Sequence, residues 1–336
     1  MSDVAAGSTR QSPDALAREL VAGDRRALGR AITLVESSHP DDREPANRLL
    51  ELLAPRSGNS IRVGISGVPG VGKSTFIERL GNLVIDAGHK VAVLAVDPSS
   101  AVTGGSILGD KTRMETLSRR LEAFIRPSPA GSTLGGVTRN TRDTLLVVEA
   151  AGFDVVIIET VGVGQSETAV ADMADLFLLL LLPGGGDELQ GIKRGIVELA
   201  DLIVVNKADG ALGVVAERAA ADYRNALRLL RPRSTRWKVP VTTCSALEGQ
   251  GIDKVWARIT EFRELMTASG DLAANRSQQA RRWLWHEVAE SLLARLREDP
   301  AVRLRLAGLE EAVGSGRLSP RVAADQLITD FWNNSQ

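Results

Sequence analysis

The sequence predicts an α/β fold in which a mainly parallel central sheet is flanked by helices and extended by helical segments at both ends. Six apolar runs, IRVGIS, KVAVLAVD, FDVVIIET, DLFLLLLLP, DLIVVNKAD and KVPVTTCSA, alternate with helical segments, as in a parallel sheet covered on both faces. A glycine-rich turn, GVPGVGKS, links the first run to a helix. Before residue 57 and after residue 250, helical spacing prevails without strand patterns.

In chain order, a short tail leads into ALARELVAGDRRALGRAITLVES and EPANRLLELLA, which read as two helices of an N-terminal extension over residues 1–56. The PRSGNS break ends it, and a nucleotide-binding domain is expected over 57–250. After the glycine-rich turn, Phe76, Ile77, Leu80, Leu83, Val84 and Ala87 recur at helical spacing, and Gly88 follows as a stop. The run from Leu176, LFLLLLLPGGG, fits a strand buried on both faces and falls far short of the roughly 20 apolar residues of a membrane span. Beyond Ile252, RRWLWHEVAESLLARLRED and SPRVAADQLITDFWNN read as amphipathic helices of a C-terminal extension over 251–336. Trp283 and Trp285 share helical spacing with Leu284, Val288 and Leu292, the mark of a packed helix or a dimer contact rather than a cofactor platform.

Composition narrows the classes. The chain has 336 residues, 43% of them hydrophobic, enough for a substantial core. Lys and Arg total 41 against 42 Asp and Glu, so no bulk charge draws it to nucleic acid or to an anionic membrane. The opening MSDVAAGSTRQSPD lacks an apolar signal region, so a cytoplasmic protein is expected. Cys244 is the sole cysteine, which excludes an internal disulfide and a multi-thiolate metal site within one subunit.

The turn from Gly67 through Val68, Pro69, Gly70, Val71, Gly72 and Lys73 to Ser74 fits G-x-x-x-x-G-K-[ST], and with its flanking strand and helix it predicts a P-loop NTPase domain. Its backbone N–H groups can ring a phosphate at the positive end of the helix, whose first turn continues with Thr75. Lys73 supplies a point charge to the β and γ phosphates, and the Ser74 hydroxyl can ligate Mg²⁺.

The base is read from ADLIVVNKADG, where Asn206, Lys207 and Asp209 stand at the end of an apolar strand. The Asp209 carboxylate can accept from guanine N1–H and the exocyclic amine, whereas adenine presents an acceptor at N1. GTP is therefore expected over ATP, by about 10⁴ or more. The following TTCSAL places the backbone of Ser245, Ala246 and Leu247 where it can hold the guanine oxygen. Two further acids end strands: Asp97 in VAVLAVDPSS, and Glu159 in FDVVIIETVGVGQSE, with Gly162 close behind. They suit a Mg²⁺ site with a glycine amide sensing the γ phosphate. Glu159 replaces the aspartate of the commoner D-x-x-G form and can act through water. Gln165 is a water-positioning candidate, and Asp110 in TGGSILGDKTR a polar switch-loop and metal candidate.

Taken together, GVPGVGKST, AVDPSS followed by TGGSILGDKTRM, ETVGVGQSE, LLPGGGDELQGIKRGI and NKADG resemble the MeaB/ArgK-type P-loop GTPases that accompany methylmalonyl-CoA mutase. The resemblance covers most of the chain. It implies a homodimeric GTPase chaperone that converts GTP to GDP, gates adenosylcobalamin loading onto the mutase and protects or rescues that enzyme. It also implies a mobile loop at GGGDELQGIKRG, from which Lys193 can reach the nucleotide. The alternative is a metallochaperone-type GTPase for another metalloenzyme, but that role needs clustered soft or imidazole ligands, and His39, His89, His286 and Cys244 are scattered. A small-molecule kinase is disfavoured by the guanine-specific turn, and a dead binding module by the intact Lys73, Ser74, Asp97 and Glu159.

Overall fold

The computed structural model describes residues 11–96, 114–127, 134–160, 166–184, 194–229 and 234–334. It divides into two compact units, the first reaching Asn275 and the second spanning Arg276–Gln336.

The first unit opens with helices α1 (Pro13–Val21), α2 (Arg25–Val35) and α3 (Pro40–Leu53). Sequence spacing predicts one helix where α1 and α2 stand. The chain breaks there because Gly23 takes a left-handed φ of 89° and the Asp24 carboxylate caps α2, accepting from Arg26 N–H at 2.6 Å and Ala27 N–H at 2.9 Å.

The sheet has the order β3-β2-β4-β1-β5-β6-β7, and each pairing among these strands is parallel. Its strands are β1 (Ile61–Gly67), β2 (Val91–Val96), β3 (Ala123–Arg126), β4 (Val155–Thr160), β5 (Leu176–Leu181), β6 (Leu202–Val205) and β7 (Val241–Thr243). The strands β1, β2, β4, β5 and β6 are buried along their whole length, which explains their largely apolar runs, with Arg62 and Ser66 in β1 and Glu159 and Thr160 in β4 as buried polar exceptions. The edge strand β3 is not among the six predicted runs: it has four residues, half-buried by alternation, and carries Arg126. Its outer edge is covered by Arg25, which donates to Leu121 O at 2.6 Å and Ala123 O at 2.9 Å.

Between the strands lie α4 (Lys73–Asp86), α5 (Glu115–Ser118), α6 (Leu134–Ala150), α7 (Ser166–Met173), α8 (Arg194–Leu199) and α9 (Gly213–Leu227), followed by α10 (Ile252–Ala268). Gly88, at φ 95°, follows the end of α4 as the sequence predicts. Phe76, Ile77 and Leu80 of α4 and Val255, Ile259 and Phe262 of α10 share a core with Val63, Ile65, Val93 and Ile157 of the sheet. Leu179, Leu181, Ile203 and Val205 turn the other way, onto Ala216, Ala220 and Tyr223 of α9. Helices α2 and α3 pack on α6, so the N-terminal extension is seated on the domain.

Helix α11 (Asp271–Glu298) begins in the first unit and runs into the second, which holds α12 (Pro300–Gly314) and α13 (Pro320–Asn334). Asp299 caps α12, accepting from Ala301 N–H at 2.9 Å and Val302 N–H at 3.1 Å. The apolar residues expected to pack along α11 stand open: Trp285 is 72% exposed and Leu284 60%. Among the described residues no helix is long and apolar enough to cross a membrane.

Candidate nucleotide-binding site

In this strand order β1 lies between β4 and β5, and the chain winds out from it in both directions. The C-terminal end of β1 is thus the switch point, where open α/β sheets bind ligands. The residues from Gly67 to Ser74 occupy that position. A Cβ on Gly67 would meet Leu180 O at 2.6 Å, so the loop can leave the sheet only through glycine. Gly72 caps α4 with φ 92° and no side-chain cap bond, and a Cβ there would meet Asn206 Nδ2 at 2.9 Å. The first amides of α4 therefore stay available to an anion.

Lys73 folds back on this loop, its ammonium donating to Gly67 O at 2.6 Å. Burial pushes it below the usual lysine value, and the carboxylates of Glu159 and Glu167 oppose that push. A phosphate would offer the ammonium stronger acceptors than one carbonyl.

Glu159 is 3% exposed and stands next to last in β4, beside Ile65 of β1. Glu167, on the first turn of α7, is a second buried carboxylate that the sequence reading leaves out; its only sequence signal is its place in the GQSE segment. Ser74 and Glu159 are hard oxygen donors of the kind Mg²⁺ takes, so the donor set fits that ion. Asp97, Asp110, Gly162, Gln165 and Lys193 lie outside the described residues.

The base end is built around Asn206, which is 1% exposed. Its Nδ2 donates to Val71 O at 2.8 Å and its Oδ1 accepts from Ala246 N–H at 3.0 Å, so one amide ties the phosphate loop to the SAL turn. Lys207 has φ 59°, the one non-glycine positive φ among the described residues, which marks a constrained turn at the strand end. Ser245 Oγ donates to Asp209 Oδ1 at 2.7 Å and so orients that carboxylate at the strand end. The structure thus brings together Gly67–Thr75, Glu159, Asn206, Asp209 and the Ser245–Leu247 turn. It adds Arg79 of α4, whose guanidinium donates to Ala246 O at 3.2 Å and Leu247 O at 3.0 Å. No local motif announces that contact.

Burial pushes the Cys244 thiol up to about 12, so it is not a thiolate ligand at neutral pH. Among the described residues no three His, Cys, Asp or Glu side chains group as a metal site.

Comparison with known proteins places the chain in a family. A putative GTPase of Caulobacter vibrioides is 59% identical over 318 residues, covering 95% of this chain and 97% of the relative. The mitochondrial methylmalonic aciduria type A homolog of Mus musculus is 51% identical over 328 residues, 95% of this chain and 79% of that protein. A crystal structure described as a LAO/AO transport system kinase superposes with a TM-score of 0.75 at 42% identity, over 95% of this chain and 97% of that one. The family model for methylmalonyl Co-A mutase-associated GTPase MeaB matches residues 28–301, and the chain belongs to that family of P-loop GTPases.

Proposed function

We propose that this protein is a Mg²⁺-dependent GTPase that serves as a homodimeric chaperone of adenosylcobalamin-dependent methylmalonyl-CoA mutase, gating cofactor loading and protecting or reactivating the mutase in the cytoplasm. The observation that carries the GTP reading is the Asn206 clamp, which joins a phosphate loop to a guanine-type turn oriented by Ser245 and Asp209. The partner reading rests on the mutase association in the family's description and on the methylmalonic aciduria relative. Support for the dimer comes from the C-terminal extension over 251–336, where Trp285, Leu304 and Trp332 are 72%, 85% and 60% exposed.

In this reading Lys73 holds the β and γ phosphates, while the amides of Gly70 to Thr75 and of Gly162 orient them. Asn206, Asp209 and the Ser245–Leu247 turn hold the base. Ser74, Asp97, Asp110 and Glu159 hold Mg²⁺, which when bound neutralises charge on the phosphates. Gln165 and Lys193 are the groups assigned to the attacking water and to the transition-state charge. Because the sequence offers no arginine finger and Gln165 stands three residues after Gly162 rather than directly after it, turnover by the isolated protein is expected near the ~10⁻⁴ to 10⁻² s⁻¹ of unassisted G proteins.

The test is the GTP hydrolysis rate, against an ATP control, with and without stoichiometric mutase. Stimulation by the mutase is expected. Slow GTP turnover indifferent to the mutase would remove the proposed partner and keep the GTPase; turnover of ATP at the same rate would remove the guanine assignment.

A further inference from the structure

The turn that follows β7 uses its amides unevenly. Ser245 N–H donates to Gln250 O at 2.9 Å, Ala246 N–H to Asn206 Oδ1 at 3.0 Å and Glu248 N–H to Ser245 Oγ at 3.2 Å. Between Ser245 and Glu248, the amide without a partner among the described residues is that of Leu247. In a trans peptide this N–H points opposite to the Ala246 carbonyl, so whatever holds that carbonyl aims the amide.

Arg79 holds it. From the helix that begins at Lys73, the guanidinium donates through Nε to Ala246 O at 3.2 Å and through Nη2 to Leu247 O at 3.0 Å. A planar fork on two successive carbonyls fixes two peptide planes at once, which a single ammonium cannot do. With Ala246 N–H committed to Asn206 and both following carbonyls drawn to α4, the Leu247 N–H is left facing away from Arg79. The site then offers a preset donor that needs no rearrangement when a ligand acceptor arrives.

We propose that Arg79 is a positioning residue for base recognition, setting the Leu247 N–H as a donor to the 6-oxo group of a guanine nucleotide. The inference rests on the GTP reading above and adds to it a residue outside the recognised motifs. It makes the phosphate-loop helix and the base turn one unit, so a change on α4 alters which base is preferred as well as how tightly a nucleotide is held.

The experiment is calorimetric titration of the full chain with GDP and with 6-thio-GDP, in which sulfur replaces the 6-oxygen and every other base contact is kept. Sulfur is a weak acceptor, so wild type should prefer GDP by about threefold to tenfold, the worth of one neutral hydrogen bond. Arg79→Ala should weaken GDP by a similar factor and 6-thio-GDP much less, so that the ratio contracts toward one. Arg79→Lys should recover part of the GDP affinity. The melting temperature of each nucleotide-free variant accompanies the titrations. An unchanged GDP to 6-thio-GDP ratio in Arg79→Ala overturns the proposal, whether affinity holds or both nucleotides weaken equally with a lowered melting temperature. Wild type that fails to bind GDP removes the GTP reading, and this inference with it.

Discussion

The two ends of the central sheet carry similar polar chemistry and use it differently. At the amino ends of the strands, Glu149 of α6 lies 5% exposed and accepts from Ser60 Oγ at 2.5 Å, from Arg62 Nε and Nη2 at 2.8 and 2.9 Å, and from Gly58 N–H at 2.8 Å. Both carboxylate oxygens are saturated by the protein. At the carboxyl ends, among the described residues, the Lys73 ammonium hydrogen-bonds one carbonyl and the Asp209 side chain accepts from Ser245 Oγ. A saturated network specifies structure; polar groups with spare hydrogen-bonding capacity at the switch point of the sheet are what a candidate ligand site requires.

The sharpest test of this contrast is Asp209→Asn. An asparagine amide can donate to the 2-oxo group of xanthine, where the carboxylate accepts from the 2-amino group of guanine. The ratio of GTP to XTP affinity is expected to fall by about 10⁴, the discrimination of a site built around such bonds. Parallel titrations measure it, and an unchanged ratio would show that Asp209 does not read the base.

At the other end the largest effect falls on folding. Arg62→Met strands a buried carboxylate and is expected to cost about 3–5 kcal/mol in chemical denaturation, with nucleotide specificity untouched. Burial raises Glu149, but the bonds from Arg62, Ser60 and Gly58 outweigh it and hold the carboxyl below its ordinary value. A carboxyl with a lowered folded pKa stabilises above its unfolded pKa, and that contribution is lost as pH falls below roughly 4. Glu149→Gln should therefore flatten the acid limb of the stability curve. A limb as steep as in wild type would place the acid sensitivity elsewhere.

Lys73→Ala is the next in size. Removing a partly buried ammonium that faces the phosphates should weaken GTP by about 2–5 kcal/mol. The stability cost should be smaller than that of Arg62→Met, because among the described residues the lysine hydrogen-bonds one carbonyl, Gly67 O, rather than a carboxylate. GTP affinity equal to wild type would mean that the phosphate site lies elsewhere.

The candidate site was legible in the sequence wherever its pattern is local. Gly67 to Ser74 and Asn206 to Asp209 are short spans with the spacing that a phosphate or a base would require, and the fold brings them together. The strands buried on both faces were equally plain, because such burial writes a largely apolar run. β3 escaped, since an edge strand of four residues with Arg126 has little apolar signature. The α1–α2 break was also missed, although Gly23 and Asp24 are a stop and a cap side by side. Arg79 is different in kind: it meets Ala246 across 167 residues of chain, and only the fold brings them together.

The smallest effect is expected in the second unit, where the chemistry of the Arg62–Glu149 pair recurs in water. Arg305 Nη1 donates to Asp330 Oδ1 at 2.8 Å and Oδ2 at 2.6 Å, with its side chain 50% exposed, whereas the Arg62 side chain is 6% exposed. A guanidinium meets a carboxylate at hydrogen-bond distance in both pairs. What differs is that solvent screens the attraction of the exposed pair and hydrates either partner once the other is gone. Arg305→Ala should therefore cost only ~0.2–1 kcal/mol, and most of that should vanish near 1 M salt, where the Debye length falls to about 3 Å. Denaturation at low and high salt measures both. A loss as large as that of Arg62→Met, unaffected by salt, would mean that burial is not what separates a structural ion pair from a decorative one in this chain.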